Sequence, residues 1–328
     1  MKILVLRFSS IGDIVLTSPV VRCLAIQLPH AEIHFATKLE NKFLLEFNPH
    51  IHKIHLLGES LNYLIQELKH EQFDYVIDLH NNLRTRQIKA RLGVKSFSFH
   101  KLNIQKWLLC NLKINSMPDV HIVDRYMKTV ESLGVVNDDK GLDYFSCTCD
   151  SVEPEYLPET HRNGFYAFAI GGQHVTKRLP ATKIAEAIQQ LNAPVILLGG
   201  KEDRKAGVEV LSLIPNKKIV FNGCGEFTFG SSAWLLSQSL GVLTNDTGLM
   251  HVAAAFKKRT VAFWGNTVPE FGMYPYKTEF LTLENKALSC RPCTKIGYDK
   301  CPKGHFKCMN ELDMNGIRAF FAASSDGY

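Results

Sequence analysis

Apolar runs of strand length alternate with helix-periodic segments twice over, and this double alternation constrains the fold more than any other feature. "KILVLRF", "AEIHFAT", "IHKIHLL", "DYVIDLH" and "VKSFSF" read as strands. Between them, helical patterns cover residues 13–28, "LENKFLLEF", "SLNYLIQELKHEQ" and a basic stretch beyond Asn82. A polar, proline-bearing stretch, "CDSVEPEYLPETHRNG", breaks the pattern and is the best linker candidate. The alternation then restarts, through "FYAFAIGG", "APVILLGG", "KKIVFNG", "SLGVLTND" and "RTVAFWG". Strands separated by helices in this way form parallel sheets in an α/β architecture. Two such halves predict two doubly wound domains, residues 1–155 and 156–310, followed by a helix within 311–328.

At 328 residues each half is long enough for its own core. No apolar run approaches the roughly 18–20 residues needed to cross a bilayer, and "MKILVLRFSSIGD" reads as a first strand rather than a signal peptide. Nine cysteines, an odd number scattered along the chain, favour a reducing cytosol. The net charge of +6 is unevenly spread, since residues 83–114 hold eight Lys or Arg and no Asp or Glu. Such a stretch is either a solvated helix face or a patch for an anionic partner: a membrane surface, a phosphorylated substrate or nucleic acid. Nucleic acid fits worst, because no zinc finger, RRM signature or basic zipper accompanies the charge.

Ligands of doubly wound sheets sit beyond the carboxyl ends of the strands. Chemically useful residues recur there: Ser9 to Asp13, His80 to Asn82, Gly171 to Lys177, Gly199 to Glu202 and Asp246 to His251. The P-loop, the G-x-G-x-x-G dinucleotide turn and the G-x-S-x-G elbow are all missing. No Asp-x-Asp occurs to grip a metal-bound diphosphate, so Lys, Arg and helix N-termini must meet any such charge. Lys177 in "GGQHVTKRLP" is placed for that role, while Arg178 reads more readily as solvated. In "LTNDTGLMHVAAAF", Asp246 or Thr247 caps a helix, or the corner binds a phosphate beside Gly248. In "FSSIGDIVLTSP", Gly12 permits a tight loop, and Asp13 is either a helix N-cap or a general base for a substrate hydroxyl. On either reading Asp13→Asn is expected to leave the melting temperature near that of the wild type.

Cys290, Cys293, Cys301 and Cys308, with His305, crowd "CRPCTKIGYDKCPKGHFKC". The first pair has the C-x-x-C spacing of a zinc knuckle and the second is too widely spaced for one. Reduced thiols packed in a loop, a redox pair and a structural zinc all remain open.

Taken together, "RFSSIGDIVLTSPV", "HIVDRY", "TKRLP", "LLGGKED" and "TNDTGLMHVAAAF…VAFWGNTVPEFGMYP" resemble glycosyltransferase family 9, the lipopolysaccharide heptosyltransferases. The resemblance runs in order over nearly the whole chain. It implies a GT-B fold, two Rossmann-like domains facing a cleft, with no metal requirement and no cofactor. The N-terminal domain would take an anionic lipid-linked saccharide acceptor and the C-terminal domain a nucleotide-sugar donor, usually ADP-heptose. The final helix would cross back to the first domain. By position, Asp13 resembles the catalytic base and Lys177 the lysine on the leaving diphosphate. Asp246, Thr247, Gly248 and His251 resemble the donor loop, and Glu202 loosely matches an acid holding the ribose. Ser9, Ser10, Gly12, His80, Asn81, Arg84 and Arg86 are the expected acceptor side. The reaction implied is a single inverting displacement at the anomeric carbon, in the cytoplasm or on the cytoplasmic face of the inner membrane. The competing readings are a relative using another nucleotide sugar and surface-glycan acceptor, and a silent nucleotide-sugar-binding protein. The presence of Asp13 and Lys177 argues against the silent one.

Overall fold

A computed structural model describes residues 1–323 as two compact units, each built on one parallel sheet. The first sheet comprises β1 (Lys2–Leu6), β2 (Glu32–Lys38), β3 (Lys53–Leu57), β4 (Tyr75–Asp78) and β5 (Lys95–Ser98), in the order β3-β2-β1-β4-β5. Ile3 to Leu6 are wholly buried, which is why β1 reads as an unbroken apolar run: helices cover both faces of such a sheet. The helical segments of this unit are α1 (Ile11–Val15), α2 (Ser18–Gln27), α3 (Leu61–His70) and α4 (Leu83–Leu92). The single helix expected over residues 13–28 is in fact two. Pro19, in the first turn of α2, has no N–H to donate, and Thr17 Oγ1 donates to the Ile14 carbonyl at 2.6 Å. Residues of "LENKFLLEF" form a 3₁₀ segment, Leu39–Leu44, in place of an α-helix.

Beyond β5 the chain leaves the first unit. Residues 103–119, with α5 (Asn103–Trp107), group with the second unit, and the chain returns to the first for 120–146, which includes α6 (Ile122–Met127). Contiguous halves, the expectation from sequence, are therefore interrupted. The physical reason is local: Leu109 is buried with Val268 and Phe271, and Lys113 Nζ donates to the carbonyls of Cys290 (3.2 Å) and Pro292 (2.7 Å). This also divides the basic 83–114 stretch between the two units. Residues 120–146 are secured to the first unit by Arg22 on α2, which forks onto Asp138 (2.8 and 2.7 Å) and also pairs with Asp143.

The second sheet holds β6 (Tyr166–Ala169), β7 (Val195–Leu198), β8 (Val220–Asn222), β9 (Val242–Asn245), β10 (Thr260–Trp264) and β11 (Phe280–Glu284), in the order β11-β10-β9-β6-β7-β8. Its helices are α7 (Glu159–Arg162), α8 (Ala181–Leu191), α9 (Arg204–Leu213), α10 (Phe229–Gln238), α11 (Gly248–Ala255), α12 (Lys307–Asn310) and α13 (Ile317–Ala322). Counted within its own unit, each sheet follows the doubly wound order 3-2-1-4-5, with a sixth strand added in the second. The order reverses between β1 and β4 in one sheet and between β6 and β9 in the other, the two places where such sheets bind ligands. Helix α13 packs on α8, and Ile317 lies in the core of the second unit, so the described part of 311–328 belongs there. The remainder of that expected crossing helix, residues 324–328, lies outside the described residues.

Candidate active site

In the first unit the switch point is organised around a buried arginine that directly follows β1. The Arg7 guanidinium pairs with Asp13 at 2.7 Å, donates from Nη1 to the Tyr126 hydroxyl at 3.0 Å and to the Leu79 carbonyl, and donates from Nε to the Ser9 carbonyl at 2.8 Å. Burial works against the Arg7 charge, but Asp13 outweighs it, with Tyr126 and Asp78 adding, and holds the group above its ordinary range. Asp13 is not the N-cap of α1. That position belongs to Ser10, whose backbone N–H and hydroxyl both donate to Asp13 Oδ2, at 3.1 and 2.7 Å. Asp13 thus sits at the third helical position with both carboxylate oxygens engaged and its side chain still 17% exposed. Gly12 lies inside α1 rather than in a loop.

Across the switch point, β4 ends on Asp78, which is wholly buried. Its Oδ1 accepts the backbone N–H groups of His80 (3.0 Å) and Asn81 (2.7 Å), and its Oδ2 pairs with Lys89 at 2.8 Å. This fixes the loop that carries His80 and Asn81. His80 accepts the Phe8 N–H on Nδ1 (3.3 Å) and is pushed down to about 4, by burial first and then by Arg7 and Lys101, so it is neutral at physiological pH. Arg84 lies over the Phe8 ring at 5.5 Å, and Arg86 is exposed. Asp13, Ser9, Ser10, His80 and Arg84 therefore gather around Arg7 and Phe8, whereas Arg86 is exposed.

The second unit again pairs a cation with an aspartate. Lys177 ends a 3₁₀ turn, Val175–Lys177, after β6, and its Nζ stands 2.6 Å from Asp246 Oδ2 at the end of β9. Thr267 Oγ1 donates to that same oxygen at 2.8 Å. Neither acid nor hydroxyl caps α11: Asp246 is occupied by Lys177, and Thr247, the N-cap residue, makes no side-chain capping bond. The first-turn N–H groups at Gly248 and Leu249 thus meet no capping side chain, the arrangement that suits a phosphate. His251, one turn on, is buried.

Glu202 is exposed and curls over Gly200, where a Cβ would lie 2.4 Å from its Oε2. Its neighbour Asp203 is the buried acid of that loop, accepting the Gly200 N–H at 2.9 Å and pairing with Arg178 at 3.2 Å. A Cβ at Gly171 would meet Asp203 Oδ2 at 2.5 Å and would push that carboxylate off its partners. Arg178 is accordingly tied down, its Nε also donating to the Gly172 carbonyl at 2.6 Å.

The cysteine-bearing segment is hydrogen-bonded to this corner. Thr176 exchanges three hydrogen bonds with the Tyr298 backbone: its N–H and Oγ1 donate to the carbonyl (3.1 and 3.0 Å), and Oγ1 accepts the N–H (2.8 Å). The buried Arg291 guanidinium donates to the carbonyls of Gly265 (2.5 Å), Trp264 (3.2 Å) and Thr267 (3.0 Å). Cys290, Cys293, Cys301 and Cys308 are free thiols. Burial pushes the Cys308 thiol up to about 12; Arg291 opposes this, and the other three cysteines add to it. Cys147 and Cys149 form a disulfide.

Arg7, Tyr126, Asp78, Asp203, Thr267 and Arg291 escaped the reading of the sequence. Tyr126 was within reach, since it closes the "HIVDRY" motif. A family model for "Glycosyltransferase family 9 (heptosyltransferase)" matches residues 62–302. The chain belongs to glycosyltransferase family 9. Among its family 9 relatives, "Lipopolysaccharide heptosyltransferase 2" of Escherichia coli strain K12 is 26% identical over 332 residues, covering 93% of this chain and 91% of that one. The solved family 9 glycosyltransferase of Veillonella parvula superposes with a TM-score of 0.71 at 25% identity, over 87% of this chain and 86% of the other. The E. coli structure described as an ADP-heptose lps heptosyltransferase II gives a TM-score of 0.67 at 22% identity, over 95% and 98% of the two chains. The two sheets described above are those of the GT-B fold.

Proposed function

We propose that this family 9 chain moves a heptose from ADP-heptose to a sugar hydroxyl of a lipopolysaccharide core, inverting the anomeric centre. The observation that carries the reading is the pair of switch-point corners: a carboxylate fixed by Arg7 in one, and Lys177 beside an uncapped helix N-terminus in the other. The donor and acceptor classes come from the names of the relatives. Asp13 takes the proton of the acceptor hydroxyl as its oxygen attacks the anomeric carbon. The bond from that carbon to the diphosphate oxygen breaks, and ADP leaves on Lys177 and the first-turn N–H groups of α11. Glu202 meets the ribose hydroxyls, and His80, Asn81 and Arg84 meet the acceptor. Because Lys177 and the helix end supply positive charge, transfer needs no metal. A lipid-linked acceptor brings the enzyme to the cytoplasmic face of the inner membrane, although among the described residues no helix is long and apolar enough to cross it.

The test is transfer of heptose to heptose-deficient lipopolysaccharide in EDTA, together with calorimetry against adenine, uridine and guanosine diphosphates. Turnover in EDTA with preference for the adenine nucleotide is expected. Preference for a uridine or guanosine nucleotide would overturn the donor assignment, and activity restored only by magnesium or manganese would overturn metal independence.

A further inference from the structure

At the amino ends of β2 and β3, opposite the Asp13 corner, a chain of side chains ends in a buried, bare nitrogen. Glu67 Oε1 on α3 lies 2.6 Å from His55 Nδ1, and His55 Nε2 lies 2.9 Å from His34 Nδ1. An ionised carboxylate only accepts, so His55 must carry its proton on Nδ1. Imidazoles ligate metals in the neutral form, and for neutral rings the contacts fix the tautomers. A neutral His55 protonated on Nδ1 can only accept at Nε2. His34 must then donate from Nδ1, which leaves its Nε2 as a lone pair.

That atom is fully enclosed, in a residue only 1% exposed, and has no hydrogen-bond partner. It faces Glu32 Oε2 at 3.7 Å, and the same oxygen lies 3.8 Å from His52 Nε2. A lone pair directed at a carboxylate oxygen is repulsive unless a cation lies between them. Lys2 does not serve, for its ammonium is held by Glu71 at 3.0 Å and reaches Glu32 only at 3.8 Å. Lys53 is likewise taken by Glu71 at 2.5 Å. The three free ligand atoms lie within 4.8 Å of one another.

We propose that His34, His52 and Glu32 bind one divalent cation of the zinc class, tying the start of β2 to the turn before β3. Two imidazoles and one carboxylate suit zinc, cobalt or nickel and not magnesium or calcium. Tetrahedral zinc with bonds near 2.0–2.1 Å sets ligand atoms about 3.3 Å apart. Glu32 and His52, 45% and 58% exposed, are the side chains that can move to close the remaining gap. The His34–His55–Glu67 relay is the outer shell that orients a metal-bound imidazole and raises its basicity. Lying at the far end of the sheet from Asp13, the ion is structural and takes no part in transfer.

The test uses the full chain, stripped with chelator and titrated with Zn²⁺ by calorimetry and with Co²⁺ by absorption. One equivalent is expected to bind, with weak d–d bands and no thiolate charge-transfer band, and Zn²⁺ raises Tm. His52→Ala and Glu32→Ala change exposed side chains and leave the fold intact. Each should weaken binding at least ~10-fold and abolish the Tm rise, whereas Cys290→Ser should change neither. Absence of binding overturns the proposal, and so does binding that survives both variants or disappears in Cys290→Ser. Heptose transfer in EDTA tests the catalytic reading separately, since the two outcomes are independent.

Discussion

Lys177 Nζ lies 2.6 Å from Asp246 Oδ2, so the cation assigned to the leaving diphosphate is already paired with an acid from the neighbouring strand end. Thr267 holds that acid from the other side. The lysine is therefore positioned before any nucleotide arrives, and the diphosphate must share it with Asp246.

Lys177→Ala should cost on the order of 2–4 kcal/mol of transition-state stabilisation, a fall in kcat of roughly 30- to 1000-fold. Asp246→Asn keeps the Thr267 hydrogen bond and leaves the lysine charge unshared, so its kcat should fall less. Steady-state kinetics of both variants checks the order, and equal losses would show that pairing and charge contribute alike.

Asp13→Asn separates helix start from chemistry differently from the expectation drawn from sequence. An amide can still accept from Ser10, but the Arg7 guanidinium, 9% exposed, then loses its counter-charge. A stability loss of about 1–3 kcal/mol is expected, visible in denaturant titration, instead of an unchanged melting temperature. Turnover should fall at least ~100-fold while donor affinity by calorimetry is retained.

Acid should destabilise the fold over a defined window. His80 and His34 both titrate near 4 when folded, against 6.5 when exposed. Between those values the unfolded chain takes up protons that the folded chain does not, so stability falls as pH drops from about 6.5 to about 4 and is unaffected by these groups above it. His80→Asn retains an acceptor for the Phe8 N–H and should flatten part of that limb in Tm measurements on metal-stripped protein.

Thr176→Val is nearly isosteric and removes both side-chain bonds to Tyr298. The Tyr298 N–H, in a residue 42% exposed, then loses its side-chain acceptor, at about 0.5–1.5 kcal/mol in stability. Because Lys177 is the next residue, kcat should drop several-fold with less change in nucleotide affinity, which kinetics and calorimetry resolve.

Strand positions were legible because parallel strands covered on both faces leave continuous apolar runs, as in Ile3 to Leu6 and Val195 to Leu198. Asp13 and Lys177 stood out in the sequence because they lie in the segments that follow β1 and β6. Their partners did not. Arg7 looks like the polar end of a strand, and only the fold brings Tyr126 onto it, 119 residues away. Glu202 and Asp203 are adjacent acids that sequence cannot rank. The fold ranks them, by turning Asp203 inward onto the Gly200 N–H and Arg178. The excursion of residues 103–119 was hidden because its apolar contacts, Val268 and Phe271, lie far along the chain.

That excursion makes the chain pass between the units three times, at 102/103, 119/120 and 146/147. No single cut can then yield two whole parts. A fragment ending at residue 146 would carry seventeen residues that belong elsewhere, with Leu109 stripped of its cover. The complementary fragment would expose Val268 and Phe271 beside Thr267, the residue that secures Asp246. Dissection of this protein must instead graft 103–119 onto the second part and close the gap in the first with a short loop.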